Sequence, residues 1–275
     1  MATFGWRGRR VEWQRIGSGP PLVLCHGTPW SSWLWRPFAE AIADRFTVHL
    51  WDMPGYGASS KDAAHTVGLD VQGEMLVDLI AAWELDGPPH VVAHDIGGAV
   101  ALRAHAIHGV PLRSLALVDV VALRPWGSPF FRLAAEHEAV FAALPGALHE
   151  GLVRAYIAGA SAVGLAPEAL GALVAPWLGD EGQAAFYHQI AQADEAHTAA
   201  FEERLTEVTA PALVVWGEDD AWIPVDRAHR LAAAIPGAEL ELIPGAGHLV
   251  QLDRPAELAA VLERWLMRRR GTAAG

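Results

Sequence analysis

The stretch His90-Val91-Val92-Ala93-His94-Asp95-Ile96-Gly97-Gly98-Ala99 constrains this chain more than any other. An apolar run ends in an acid, and two glycines lead straight into an Ala-rich helical pattern. That is how a sharp strand-to-helix turn with a nucleophile at its apex is written. Ala93, Gly97 and Gly98 are small enough for the backbone to turn tightly, which leaves Asp95 at the helix N-terminus, pointing into a pocket. Serine is commoner at such an apex. A carboxylate is already ionised at neutral pH, with an unperturbed pKa of about 3.9, so it needs no base to attack. Aspartate here moves the expected chemistry from acyl transfer toward displacement at saturated carbon.

Around this turn β-rich runs alternate with helical patterns. Residues 21–25, 46–51, 90–94 and 114–121 read as strands, with helical spacing over 37–44 and 71–85. Such alternation builds βα units on a parallel sheet. From about 122 to 207 the chain turns to Ala- and Leu-rich amphipathic helices without a convincing strand, and Asp180 and Asp194 read as helix N-caps. Strands return at 212–216 and 239–243, before a last helix from about 255 to 270. The expected architecture is α/β: a core of residues 1–121 and 208–275, its mostly parallel central sheet flanked by helices, with a helical cap inserted at 122–207. A chain of 275 residues that is 52% hydrophobic can bury a core of this size.

Three more segments fall where the turn at Asp95 needs them. His26-Gly27-Thr28-Pro29 follows a strand, and its backbone N–H groups form half of an oxyanion hole, with the Ile96 N–H as the other half. Trp216-Gly217-Glu218-Asp219-Asp220 puts acids at the end of a late strand. Pro244-Gly245-Ala246-Gly247-His248 is a glycine-rich loop presenting a histidine. Nucleophile, acid and histidine thus come in a recognised chain order.

These motifs resemble the α/β-hydrolase superfamily over essentially the whole chain, and the aspartate narrows the resemblance to its epoxide hydrolase and haloalkane dehalogenase branch. The loop from Asp52 to Ser59 is similar to that branch as well. The resemblance implies that Asp95 attacks carbon to give an alkyl-enzyme ester and that His248, oriented by an acid, activates the water that hydrolyses it. Activity then falls at pH values below the histidine pKa, nominally about 6.5. Asp220 matches the family position for the acid. Asp119, at the end of 114–121, stands where some dehalogenases carry theirs and remains the alternative.

The leaving group separates the candidate reactions. Dehalogenases of this type place tryptophan after the nucleophile and often asparagine after the His-Gly pair; Ile96 and Thr28 stand there instead. Twelve tryptophans leave other indole donors. The arginines that hold a haloacid carboxylate in fluoroacetate dehalogenases are replaced by Ile96 and Ala99. Epoxide hydrolases protonate the ring oxygen from lid tyrosines or a His and Tyr pair. Phe186-Tyr187-His188-Gln189 resembles the segment carrying the later tyrosine, and His137 and Tyr156 are the other donor candidates. Opening of a small neutral epoxide therefore leads, haloalkane dehalogenation follows, and an esterase or a non-catalytic ligand-binding relative completes the field.

A net charge of −12 argues against nucleic acid and anionic membrane surfaces as partners. The single cysteine, Cys25, allows no internal disulfide and fits a reducing cytoplasm. Neither signal peptide nor membrane span is expected, no cofactor or metal is implied, and the oligomeric state is open. The bland reading of Arg268-Arg269-Arg270 is a cationic helix C-terminus.

Overall fold

The computed structural model describes residues 1–270. Its strands are β1 (Ala2–Trp6), β2 (Arg9–Gly17), β3 (Pro21–Cys25), β4 (Thr47–Trp51), β5 (His90–His94), β6 (Ser114–Val118), β7 (Ala212–Gly217) and β8 (Glu239–Ile243). They form one sheet in the order β1-β2-β4-β3-β5-β6-β7-β8. β2 pairs antiparallel with β1 and β4; the pairings from β4 through β8 are parallel. The expected α/β architecture is therefore present. The hairpin β1–β2 was not anticipated, because Arg7, Arg9 and Arg10 break its apolar alternation and its outer strand is largely exposed.

β3, β5, β6 and β7 are buried along their whole length, as parallel strands between helical layers must be, and so they read as unbroken apolar runs. Alternate residues serve opposite faces. Val91, Ala93, Leu115 and Leu117 pack with α2 (Leu69–Ala82) and α3 (Ile96–Leu102), through Met75, Leu79 and Val100. Val92, Ala116 and Val118 pack with α1 (Arg36–Ile42) and α12 (Pro255–Arg269), through Ile42, Leu262 and Trp265. Arg268 and Arg269 at the end of α12 reach Glu239 at 2.7 and 2.9 Å, in keeping with the bland reading of the arginine run.

Between β6 and β7 the described residues form α4 (Pro129–Glu136), α5 (Glu138–Ala142), α6 (Gly146–Ala158), α7 (Pro167–Val174), α8 (Gly179–Ala191) and α9 (Glu195–Glu202), with no strand. Asp194 caps α9, its carboxylate accepting the Ala196 N–H at 2.8 Å. Asp180 does not cap α8. It lies inside the first turn behind Leu178, where its charge complements the positive end of the helix. After β7 come α10 (Asp226–Ala234), α11 (Val250–Asp253) and α12. No helix among the described residues is long and apolar enough to cross a membrane.

Candidate active site

Asp95 occupies the turn between β5 and α3 with φ 53° and ψ −126°. A non-glycine residue in such a conformation costs about 1–3 kcal/mol and persists only when its surroundings hold it. Here its N–H donates to Val118 O at 3.3 Å, and its carbonyl accepts from Gly98 N at 3.0 Å and Val121 N at 3.1 Å. A Cβ on Gly97 would overlap the His26 carbonyl oxygen, so the tight turn requires glycine there.

The relay is assembled from three strand ends. His248 donates its Nδ1–H to Asp220 Oδ2 at 2.9 Å, while its Nε2 stands 3.4 Å from Asp95 Oδ2. Asp220 is oriented in turn: its Oδ1 accepts the N–H groups of Trp222 at 2.7 Å and Ile223 at 2.9 Å. All three side chains are nearly or wholly buried. Asp95 is held below the usual carboxylate range although burial alone would raise it, because His248 pairs with its charge and Thr28 N–H donates to it. Burial disfavours the His248 cation, but the Asp220 and Asp95 carboxylates outweigh that and push it well above the ordinary histidine value.

The structure brings Asp119 to the same place in another role. Its Oδ1 accepts Gly217 N–H at 2.9 Å, and its carboxyl lies behind Asp220. Burial and the Asp220 charge push it well above the ordinary range, so it holds its proton. Of the two acids weighed from the sequence, Asp220 is the one bonded to His248. Asp119, Asp220 and His248 are the one acid and histidine group among the described residues compact enough to hold a cation. With Asp220 engaged by two N–H groups and His248, the donors suit a proton relay better than a metal.

The loop residues divide by function. Thr28 N–H donates to Asp95 Oδ1 at 2.7 Å, the contact expected of an oxyanion donor, and Ile96 begins α3 beside it. Gly27 lies against Asp95, where a Cβ would overlap the carboxylate side chain. His26 is a structural bridge: its Nδ1–H donates to Gly27 O at 2.8 Å and its Nε2 accepts Met53 N–H at 3.0 Å. His94, also buried, donates Nε2–H to the His248 carbonyl at 2.9 Å, and burial pushes its pKa down to about 3. It therefore fixes the histidine loop as a neutral ring.

Of the lid donor candidates, only Tyr156 lines the cavity over Asp95. Its ring stacks on Trp222 at 4.5 Å, and Trp222 stacks on His248 at 5.0 Å. Burial and the Asp95 charge push its phenol upward, so it stays protonated. Tyr187 points elsewhere. Its hydroxyl donates to His149 Nδ1 at 3.0 Å, and His149 Nε2–H donates to Trp177 O at 2.8 Å. His137 is exposed at the junction of α4 and α5 and does not line the cavity.

Residues that the sequence did not single out complete the site. Gln189 on α8 accepts the hydroxyls of Thr28 at 2.9 Å and Tyr56 at 2.8 Å, latching the helical insertion to the core beside Asp95. Asp253 Oδ2 accepts Gly247 N–H at 2.7 Å and Ala162 N–H at 2.8 Å, tying the histidine loop to the loop after α6. The only legible trace of these was their neighbourhood: Gln189 ends the quoted tyrosine segment.

The cavity, about 180 Å³, is walled by Val120, Leu123, Trp126, Phe131, Trp216, Trp222, Leu231 and their neighbours, with Asp95 and Arg227 as its charged residues. Two of its three indoles are already engaged, Trp126 Nε1–H on Thr198 Oγ1 and Trp216 Nε1–H on Ile223 O, both at 2.9 Å. Trp33 lies outside this wall and is 39% exposed.

Residues 22–261 match the alpha/beta hydrolase family. An alpha/beta hydrolase fold protein from Burkholderia ambifaria has a similar structure, with a TM-score of 0.92 and 44% identity over 95% of this chain and 96% of that one. A pimeloyl-[acyl-carrier protein] methyl ester esterase of Chromobacterium violaceum is 29% identical over 92% of this chain and 96% of its own. Haloalkane dehalogenase 2 of Mycobacterium tuberculosis is 27% identical over 93% and 91%.

Proposed function

The chain belongs to the alpha/beta hydrolase family, and we propose that it opens a small epoxide with an apolar body to a diol through an ester on Asp95. The observation that carries this is the ionised Asp95, stabilised by Thr28 N–H and 3.4 Å from a relay histidine, facing an apolar cavity with the Tyr156 phenol in its wall. Residues 122–207 act as the cap that closes over it. A cytoplasmic setting suits the reaction, and the scheme uses neither metal nor cofactor.

An Asp95 carboxylate oxygen attacks an epoxide carbon, the ring C–O bond breaks, and the alkoxide takes the Tyr156 proton. Esterification removes the Asp95 charge, which lowers the His248 pKa, so its Nε2 proton passes to solvent and the neutral ring can act as a base. Water then gives a proton to His248 and attacks Cγ of Asp95, with the oxyanion stabilised by the N–H groups of Thr28 and Ile96. Collapse expels the diol oxygen, which takes the proton from His248 and leaves Asp95 as a carboxylic acid; that acid passes its proton to His248, restoring the ion pair, and the Tyr156 phenolate regains its own proton from solvent. Epoxide and water have become diol.

Similarity to a haloalkane dehalogenase favours halide displacement as a second reading. Against it stand the two engaged cavity indoles and the residues Thr28 and Ile96, which offer no indole or amide side chain to a halide. The mechanism is tested by a single turnover in oxygen-18 water with enzyme in excess. Label in the Asp95 peptide with an unlabelled diol supports the ester; label in the first diol would overturn it.

A further inference from the structure

We infer that the cavity has a second binding subsite at Arg227, which takes a carboxylate at the far end of the substrate from its reacting carbon. This inference rests on the epoxide-opening scheme for the identity of that carbon, and it replaces the sequence expectation of a neutral substrate.

Arg227 lies in the first turn of α10, and Leu231, one turn on, lines the same cavity, so this face of the helix is turned inward. Its side chain is only 18% exposed. A guanidinium is always charged, and enclosing it without a partner is unfavourable. The partners present are few. Nη1 donates to Arg124 O at 2.9 Å, and Asp226 is 3.8 Å from Nε, too long for a hydrogen bond and itself 61% exposed. No carboxylate among the described residues comes closer. Glu202, which pairs with Arg124 at 2.8 Å, is not within ion-pair reach of Arg227.

Arg227 is hydrogen-bonded to none of the relay residues: Asp95 accepts from Thr28 N–H, Asp220 from His248, Trp222 and Ile223, and Arg227 donates to Arg124 O. Ser128 also lines the cavity, and since its Oγ accepts Phe131 N–H at 3.1 Å, its own hydroxyl proton is free to be donated. The same cavity that carries Asp95 and Arg227 is otherwise walled largely by apolar side chains, among them Val120, Leu123, Trp126 and Phe131. An acid whose reactive group and carboxylate are joined by a hydrocarbon spacer matches two charged groups on such a wall. A guanidinium can hold the carboxylate through two parallel N–H bonds, which a neutral amide cannot reproduce.

Calorimetric titration with octanoate and with octanamide, on the wild type, Arg227→Met and Arg227→Lys, tests the subsite without any turnover. Octanoate is expected to bind about tenfold or more tightly than octanamide to the wild type, the effect of one charge-assisted hydrogen bond or more. That ratio should collapse toward unity in Arg227→Met and survive in part in Arg227→Lys. Equal binding of the two ligands by the wild type, or an equal loss of both in Arg227→Met, would overturn the subsite and leave Arg227 as a clamp on the Arg124 carbonyl. The ratio of kcat/KM for 7,8-epoxyoctanoate over its amide should follow the same pattern. A wild type that discriminates in binding yet opens neither epoxide would contradict the reaction scheme while upholding the subsite.

Discussion

Nε2 of His248 stands 3.4 Å from Oδ2 of Asp95, so in the proposed scheme the base of the second half-reaction is charge-paired with the nucleophile of the first. The pair gives the two steps different titration behaviour. While Asp95 is ionised it keeps His248 protonated; once Asp95 is an ester, only Asp220 still raises the histidine pKa.

Ester hydrolysis is therefore expected to slow as pH falls through the His248 pKa of the alkyl-enzyme, because only the neutral ring accepts a proton from water. Alkylation should be insensitive in that range, since Asp95 is held below the ordinary carboxylate value. Rapid-quench measurements between pH 5 and 9 on the order of half a unit apart would show the ester accumulating at the acid end. Parallel pH dependence of both phases would contradict this.

Asp220→Asn should slow ester hydrolysis by about 10²–10⁴-fold, as loss of the acid that fixes the histidine tautomer does elsewhere. Asp119→Asn should change it by less than about tenfold, since an amide preserves both the acceptor for Gly217 N–H and a donor beside Asp220. A larger loss in Asp119→Asn than in Asp220→Asn would reverse the assignment.

Asp119 also predicts a pH dependence of stability. Its folded pKa is raised, so above the unfolded carboxyl range the unfolded chain releases a proton that the folded protein retains. Stability is fully present below the unfolded pKa and falls as pH rises toward the folded one, at up to about 1.4 kcal/mol per pH unit for a single group. Asp119→Asn abolishes that slope. Urea unfolding at about pH 5 and about pH 8 should show the variant gaining on the wild type at the higher pH.

Tyr156→Phe should slow alkylation by an epoxide by about 10²-fold or more, the usual worth of a general acid, while leaving ester hydrolysis little changed. Tyr187→Phe removes a buried hydrogen bond to His149 and should instead lower stability by about 1–3 kcal/mol. Comparing single-turnover phases with thermal melts separates the two; a stronger effect of Tyr187→Phe on alkylation would move the proton donor to that residue.

Legibility followed how local each feature is. The Asp95 turn is written in ten adjacent residues, and β5 needs only its own apolar run to be recognised. Asp220 led Asp119 on its spacing after Gly217 and on the family resemblance, though both follow buried parallel strands; what distinguishes their contacts is the Nδ1–H of a histidine 28 residues beyond Asp220. The lid was the least legible part. Helical spacing shows that Tyr187 is on a buried face of α8, but its partner is His149, on a different helix. Periodicity does not say which buried face meets the cavity and which meets another lid helix. Arg227 escaped notice because an arginine in the first turn of a helix ordinarily faces solvent.

The central claim is a covalent ester on Asp95, and intact-protein mass spectrometry of His248→Gln tests it most directly. Incubated with 1,2-epoxyoctane, the variant should gain the full mass of the epoxide, and the gain should be absent when Asp95→Asn is added. If the wild type forms the diol while His248→Gln gains no mass, water attacks the epoxide directly and the account is wrong.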